Sequence, residues 1–80
     1  MDLKIIAFGI AKEIIGQLEW PMELEEAGTV ADLKGKLIEQ FPDFQRLSSL
    51  RVAVNTEYVE DNTVLNPHDE IVLIPPVSGG

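Results

Sequence analysis

The sequence predicts an α+β domain in which one main helix covers one face of a mixed β-sheet. Period-two alternation near the start and a short apolar run near the end of the chain indicate strands, and a single long stretch between them has helical spacing. A chain of 80 residues, 45% of them hydrophobic, has the size and composition of one small domain with one modest core.

The first predicted strand covers residues 2–8, which begin as an alternation and end fully apolar. This pattern predicts a strand that becomes buried on both faces toward its end. Gly9 is expected to break the strand, and residues 11–15 form a short helical turn that ends at Gly16 in a left-handed cap.

The second predicted strand covers residues 17–24 and pairs antiparallel with the first. Pro21 has no amide proton, which predicts an edge strand or a proline on the free side of the strand. The apolar residues of this strand are expected to point to one side: Leu18, Trp20, Met22 and Leu24.

The main helix is predicted to begin after Thr29, which forms a capping box with Asp32. It is expected to end before Pro42, because proline disfavours helical geometry in the preceding residue. Gly35 costs about 1 kcal/mol relative to alanine in a helix interior, and close packing would be the reason for it. The residues at helical spacing are Val30, Leu33, Leu37, Ile38 and Phe41.

Three further strands are predicted over residues 50–54, 57–59 and 70–74, and the last is apolar on both faces and therefore central. A right-handed crossover through the helix places the first strand beside the third or the fifth. This arrangement is the β-grasp, or ubiquitin-like, fold.

The charge balance and the missing cysteines exclude several classes of function. Six basic residues against fourteen acidic ones give a net charge of −8, which argues against binding to nucleic acid or to an anionic membrane. The apolar stretches are shorter than the ~20 residues of a membrane helix, and a cytoplasmic location is expected. Without cysteine there is no disulfide, thiolate metal site or thiol nucleophile.

No catalytic motif is found, and neither a metal site nor a bound cofactor is expected. His68 is interpreted as a turn residue that tolerates positive φ. Two acidic clusters are interpreted as solvated surface: Glu23, Glu25 and Glu26, and Glu57, Glu60 and Asp61.

The C-terminal segment is the one part of the sequence that indicates a chemical function. Its two prolines favour an extended backbone, and its small or absent side chains suit insertion into a narrow tunnel. The terminal carboxylate is suited to adenylation, although a frayed terminus is the alternative. We therefore predict a domain over residues 1–75 and a tail over residues 76–80. The segment reads Pro75, Pro76, Val77, Ser78, Gly79 and Gly80.

Nearly the whole chain resembles the small subunits of molybdopterin synthase, a family of ubiquitin-like sulfur carriers. The similarity covers the strand ending in Phe8, residues 11–16, the helix start at Thr29, residues 53–55 and residues 69–80. The Pro-Pro-Val-Ser-Gly-Gly ending is the most specific part.

The resemblance implies a pathway for sulfur. An adenylating enzyme of the ubiquitin-activating type consumes ATP to make a Gly80 acyl-adenylate, and a sulfur donor protein then leaves a C-terminal thiocarboxylate. The tail enters the large synthase subunit, where sulfur passes to cyclic pyranopterin monophosphate to form molybdopterin. The chain is then no enzyme on its own, because the acid and base groups lie in the large subunit.

The resemblance also implies partner-binding residues. Phe8, Tyr58 and Ile74 would dock on the large subunit, although core packing explains Phe8 and Ile74 equally well. Lys12 would pair with the activating enzyme. Two departures from the family are Pro67-His68 in place of an Asp-Gly pair and Tyr58 in place of an aliphatic residue.

Three alternatives stay open at the level of sequence. The chain could carry sulfur for thiazole synthesis or tRNA thiolation, act as a protein modifier that forms lysine-linked conjugates, or serve as an adaptor that never uses its terminus.

Overall fold

A computed structural model describes residues 1–47 and 50–75, and they form a five-stranded mixed sheet with helices on one face. The strands are β1 (Asp2–Ala7), β2 (Glu19–Glu23), β3 (Arg51–Val54), β4 (Glu57–Val59) and β5 (Glu70–Ile74). The helices are α1 (Gly9–Ile15), α2 (Val30–Gln40) and a 3-10 helix (Pro42–Arg46). The strand order β2-β1-β5-β3-β4 confirms the predicted β-grasp fold.

The last strand lies at the centre of the sheet, as predicted. β5 pairs parallel with β1, Ile5 opposite Ile71, and antiparallel with β3, Val52 opposite Leu73. The crossover from the first strand therefore leads to the fifth and not to the third. Because β5 is held by a neighbour on each side, the point at which the chain leaves the sheet is fixed.

β2 is an edge strand, and its proline faces the free edge. Met1 and Leu24 exchange two backbone hydrogen bonds of 2.7 and 3.0 Å, and the Ala7 amide donates to the Leu18 carbonyl at 2.8 Å. Hydrogen-bonded pairs alternate along an antiparallel ladder, so the Pro21 nitrogen points away from β1. The missing amide proton of Pro21 costs no ladder bond and blocks the addition of another strand at that position.

The second strand is shorter than predicted. It begins at Glu19, and Leu18 lies before it with 44% of its surface exposed. Leu18 keeps the parity of Trp20 and Met22, and its carbonyl still accepts the Ala7 amide, so its exposure does not contradict the predicted common side of these residues.

α2 begins with the predicted capping box. The Asp32 amide donates to Thr29 Oγ1 at 3.3 Å, and the Thr29 amide donates to Asp32 Oδ2 at 2.9 Å. The helix ends at Gln40, and the ring of the next residue, Phe41, packs edge-to-face on Trp20 with 5.2 Å between centroids. Close packing does not account for Gly35, since an added Cβ there would meet nothing within 4 Å.

The core lies between the helices and one face of the sheet. The side chains of Ile5, Leu33, Leu37, Ile71 and Leu73 have no exposed surface. Further buried members of the cluster are Leu3, Ala7, Ala11, Ile15, Met22, Leu24, Val30, Phe44, Val52 and Leu65. Both helices thus contribute to one core on one side of the sheet.

The first strand ends at Ala7, before Gly9 at φ 56°, as predicted, but the short helix starts earlier than predicted, at Gly9 instead of residue 11. Gly16 ends the helix at φ 90°, which confirms the left-handed cap, and its amide donates to the Lys12 carbonyl at 2.7 Å. His68 has φ 69°, as predicted for its turn. None of the helices in the described ranges is long and apolar enough to cross a membrane.

Candidate functional site

The exit of the chain from the sheet lies beside the start of α1. β5 ends at Ile74, and Pro75 is the last residue that the structure describes. A Cβ added to Gly9 would lie 3.4 Å from Pro75 Cγ, and Gly9 has φ 56°. The left-handed backbone is the feature that favours glycine at this position, and the 3.4 Å distance shows that Pro75 packs against the start of α1. The predicted tail over residues 76–80, which includes Gly80, lies outside the described ranges.

The end of β1 exposes an aromatic ring next to this exit. Phe8 has 51% of its surface exposed, so the alternative explanation of core packing does not hold for it. The predicted burial of the first strand on both faces was wrong as well, since Ile6 is only half-buried. The Phe8 carbonyl accepts the Ala11 amide at 3.1 Å, which links this strand end to α1.

The sheet has a second face, here called the open face, formed by the alternate residues that point away from the core. Register places Ile6 beside Val72, Val72 beside Ala53 and Ala53 beside Tyr58, in one row across four strands. The remaining members are Asp2, Lys4, Glu19, Pro21, Glu23, Arg51, Glu70 and Ile74. The open face is thus apolar across its middle, near the chain exit.

Two of the predicted partner-binding residues lie on the open face. Tyr58 on β4 has 64% of its surface exposed. Ile74 is half-buried and lies directly opposite Arg51 of β3. Phe8 follows β1 with the same parity as Ile6, so it extends the same surface toward the exit. The structure therefore brings Phe8, Tyr58 and Ile74 to one side of the sheet.

The fourth predicted residue, Lys12, lies apart from this surface. It is exposed on α1, the helix whose Ala11 and Ile15 pack into the core. Its role in pairing with an activating enzyme stays a prediction.

Sequence reasoning missed Arg51, Ile6 and Val72 as members of the surface. A signal for Ile6 and Val72 was present, because each alternates with fully buried neighbours. Arg51 required the β3–β5 register, which the sequence does not specify.

The acidic residues of the described part do not form a metal-binding cluster. No three His, Asp or Glu side chains in residues 1–47 and 50–75 come close enough together to hold a metal ion. Asp61 accepts a hydrogen bond from Lys34 at 2.8 Å, and the other residues of the two acidic clusters are exposed. The geometry supports docking and presentation of the chain end.

The topology, the core and the position of the chain exit define a ubiquitin-like β-grasp domain. Residues 5–80 match the ThiS family, and the chain therefore belongs to the ThiS family.

Two proteins with similar sequences have the same name. The chain is 39% identical to a molybdopterin synthase sulfur carrier subunit of Dictyostelium discoideum, with 99% of this chain and 96% of that protein covered. It is 34% identical to the subunit of that name from Chlamydomonas reinhardtii over the full length of both. These similarities confirm the prediction that the chain is a sulfur carrier of the molybdopterin synthase type.

A similar solved structure is a complex. It contains subunits 1 and 2 of the molybdopterin-converting factor from Helicobacter pylori, and the matching chain has a TM-score of 0.70 and 26% identity, with 100% of both chains covered.

Proposed function

We propose that this chain is the sulfur-carrying small subunit of a molybdopterin synthase, and that the carboxylate of Gly80 carries the sulfur. One observation in the structure supports this most: the central strand β5 leads into the tail beside an exposed apolar surface. A partner that docks on the open face therefore receives the tail at a fixed position.

The chemistry of the tail supports activation at its last residue. A carboxylate oxygen attacks the α-phosphate of ATP and forms an acyl-adenylate, with release of pyrophosphate. Sulfur at the oxidation level of sulfide, delivered by a donor protein, then attacks the acyl carbon; the C–O bond to AMP breaks, AMP leaves and a thiocarboxylate remains. Glycine leaves the reacting carbonyl carbon uncrowded because it has no Cβ. Since the chain has no cysteine, the main-chain terminus is the group that can carry sulfur covalently.

The partner follows from the same proposal. The Helicobacter pylori complex supports a large subunit as a partner, and we place that subunit on the open face. That subunit would supply the acid and base groups that transfer sulfur to cyclic pyranopterin monophosphate. An adenylating enzyme of the ubiquitin-activating type and a sulfur donor act earlier, in the cytoplasm where ATP is available. The chain itself would bind no cofactor.

Deletion of Gly80 tests the proposal. The variant still ends in glycine, but its carboxylate lies about 3.5 Å short of the position at which the partners act. We expect sulfur transfer to fall below detection in a reaction with the large subunit, the activating enzyme, the donor, ATP and the pterin precursor. The thermal unfolding midpoint should not change, because the core cluster ends at Leu73.

Ser78→Ala is the matched control, because it alters the tail and keeps its length and carboxylate. We expect it to retain sulfur transfer. Transfer at the wild-type rate by the Gly80 deletion would contradict the proposal. Lysine-linked conjugates on cellular proteins, without transfer to the pterin, would indicate a protein modifier instead.

A further inference from the structure

Arg51 lies at the corner of the open face that borders the chain exit. Register places it directly opposite Ile74, the last residue of β5. Its guanidinium carbon lies 5.8 Å from the centroid of the Tyr58 ring. Both residues are exposed. A cation and an aromatic ring thus stand together where a docking partner would meet the base of the tail.

The charges of the open face are distributed unevenly. Glu19 and Glu23 lie on β2, at the edge of the sheet away from β3 and β4. Lys4, the other cation of this face, lies beside Glu70 in the β1–β5 register. Arg51 is therefore the cation nearest to the chain exit on this face, in a chain with fourteen acidic and six basic residues.

The Arg51 guanidinium forms no ion pair and no hydrogen bond within the described part of the domain. Over residues 1–47 and 50–75, the ion pair joins Lys34 to Asp61, and no side-chain hydrogen bond involves the Arg51 guanidinium. A guanidinium has five N–H donors in a planar arrangement that matches a carboxylate with two parallel hydrogen bonds. The donors of Arg51 are thus available to a group outside the domain.

The Tyr58 ring prepares the guanidinium for such a group. A cation within about 6 Å of a ring centroid is attracted by the negative face of the ring. This contact restricts the long arginine side chain before binding, so less conformational entropy is lost when a partner binds. A contact of the cation with the ring face uses none of the hydrogen bonds that the guanidinium N–H groups can donate.

We propose that Arg51, held by Tyr58, binds a carboxylate on the large subunit at the point where the tail enters that subunit. This inference rests on the proposed function and adds a recognition element to it. The large subunit is the favoured occupant, because the pair of Arg51 and Ile74 lies between the chain exit and the apolar row of the open face, which the tail-binding protein would cover. Tyr58 acts as a positioning residue for Arg51.

The substitution Arg51→Glu tests the role of Arg51 in binding, and Arg46→Glu is its matched control. Both substitutions change the net charge by the same amount, but Arg46 is exposed on the 3-10 helix, which packs against α2 on the other side of the sheet. In calorimetric titrations of the full chain with the large subunit, we expect Arg51→Glu to weaken binding about thirtyfold or more and Arg46→Glu by less than about threefold. Equal weakening by both, or by neither, would overturn the proposal.

Variants at Tyr58 test the positioning role. Tyr58→Phe keeps the ring, and we expect its affinity to lie within about twofold of wild type; Tyr58→Leu keeps apolar area without a ring and should weaken binding about fivefold. The readout specific to positioning is coupling: Arg51→Met should cost less affinity in the Tyr58→Leu background than in wild type. Strictly additive losses would contradict the positioning role.

The outcomes separate this inference from the proposed function. Wild-type binding and sulfur transfer with an unaffected Arg51→Glu variant would overturn the role of Arg51 alone. A wild-type chain that neither binds the large subunit nor transfers sulfur would overturn the proposed function. An Arg51-dependent dimer of this chain in sedimentation analysis would show that a second copy occupies the face, and would overturn the choice of partner.

Discussion

The two faces of β5 are built from almost the same residue types and have different surroundings. Ile71 and Leu73 point into the core and have no exposed surface, whereas Val72 and Ile74 point to the open face and are half-buried. The helices bury the first pair, and no helix of the described part covers the second. One strand therefore specifies the fold with one set of side chains and keeps an apolar surface for a partner with the other.

Substitution of the two neighbours at the end of β5 should separate these roles with the largest effect on stability. We expect Leu73→Ala to lower the free energy of unfolding by about 3 kcal/mol, because it removes a fully buried side chain and leaves a cavity. Ile74→Ala should cost about 1 kcal/mol, because only part of its side chain leaves water on folding. Urea unfolding measures both.

In binding to the large subunit, the order of the two effects should be reversed, with the larger loss of affinity for Ile74→Ala. Ile74→Ala, which stays folded, should weaken association with the large subunit more than its small loss of stability explains. Equal destabilisation by the two substitutions would show that both faces belong to the core, and would contradict the division of roles.

A substitution on the exposed side of α2, away from both faces of β5, should have a smaller effect on stability. Gly35→Ala should raise the free energy of unfolding by about 0.5–1 kcal/mol, because alanine is the better helix former and its Cβ meets no atom within 4 Å. Binding to the large subunit should stay unchanged, since α2 lies on the other side of the sheet. A loss of stability in the same urea titration would mean that the position needs glycine.

Local signals account for what the sequence predicted correctly. The capping box of Thr29 and Asp32, the left-handed cap at Gly16 and the positive φ of His68 each depend on a few adjacent residues. The central place of β5 followed from its composition, because a strand apolar on both sides requires neighbours.

Long-range register accounts for what the sequence did not predict. The exposure of Phe8 and the proximity of Arg51 to Ile74 depend on which strands pair and where the pairing ends. The roles predicted for Lys12 and for residues 76–80 depend on a partner, and they stay predictions.

The central claim is that Gly80 carries sulfur, and intact mass spectrometry tests it most directly. The full chain would be purified from cells that are making molybdopterin and measured without reduction or alkylation. Replacement of one carboxylate oxygen by sulfur adds about 16 Da, and fragmentation should place this gain on the last residue. A second form heavier by that amount is the expected result. A single unmodified carboxylate form in those cells would contradict the account.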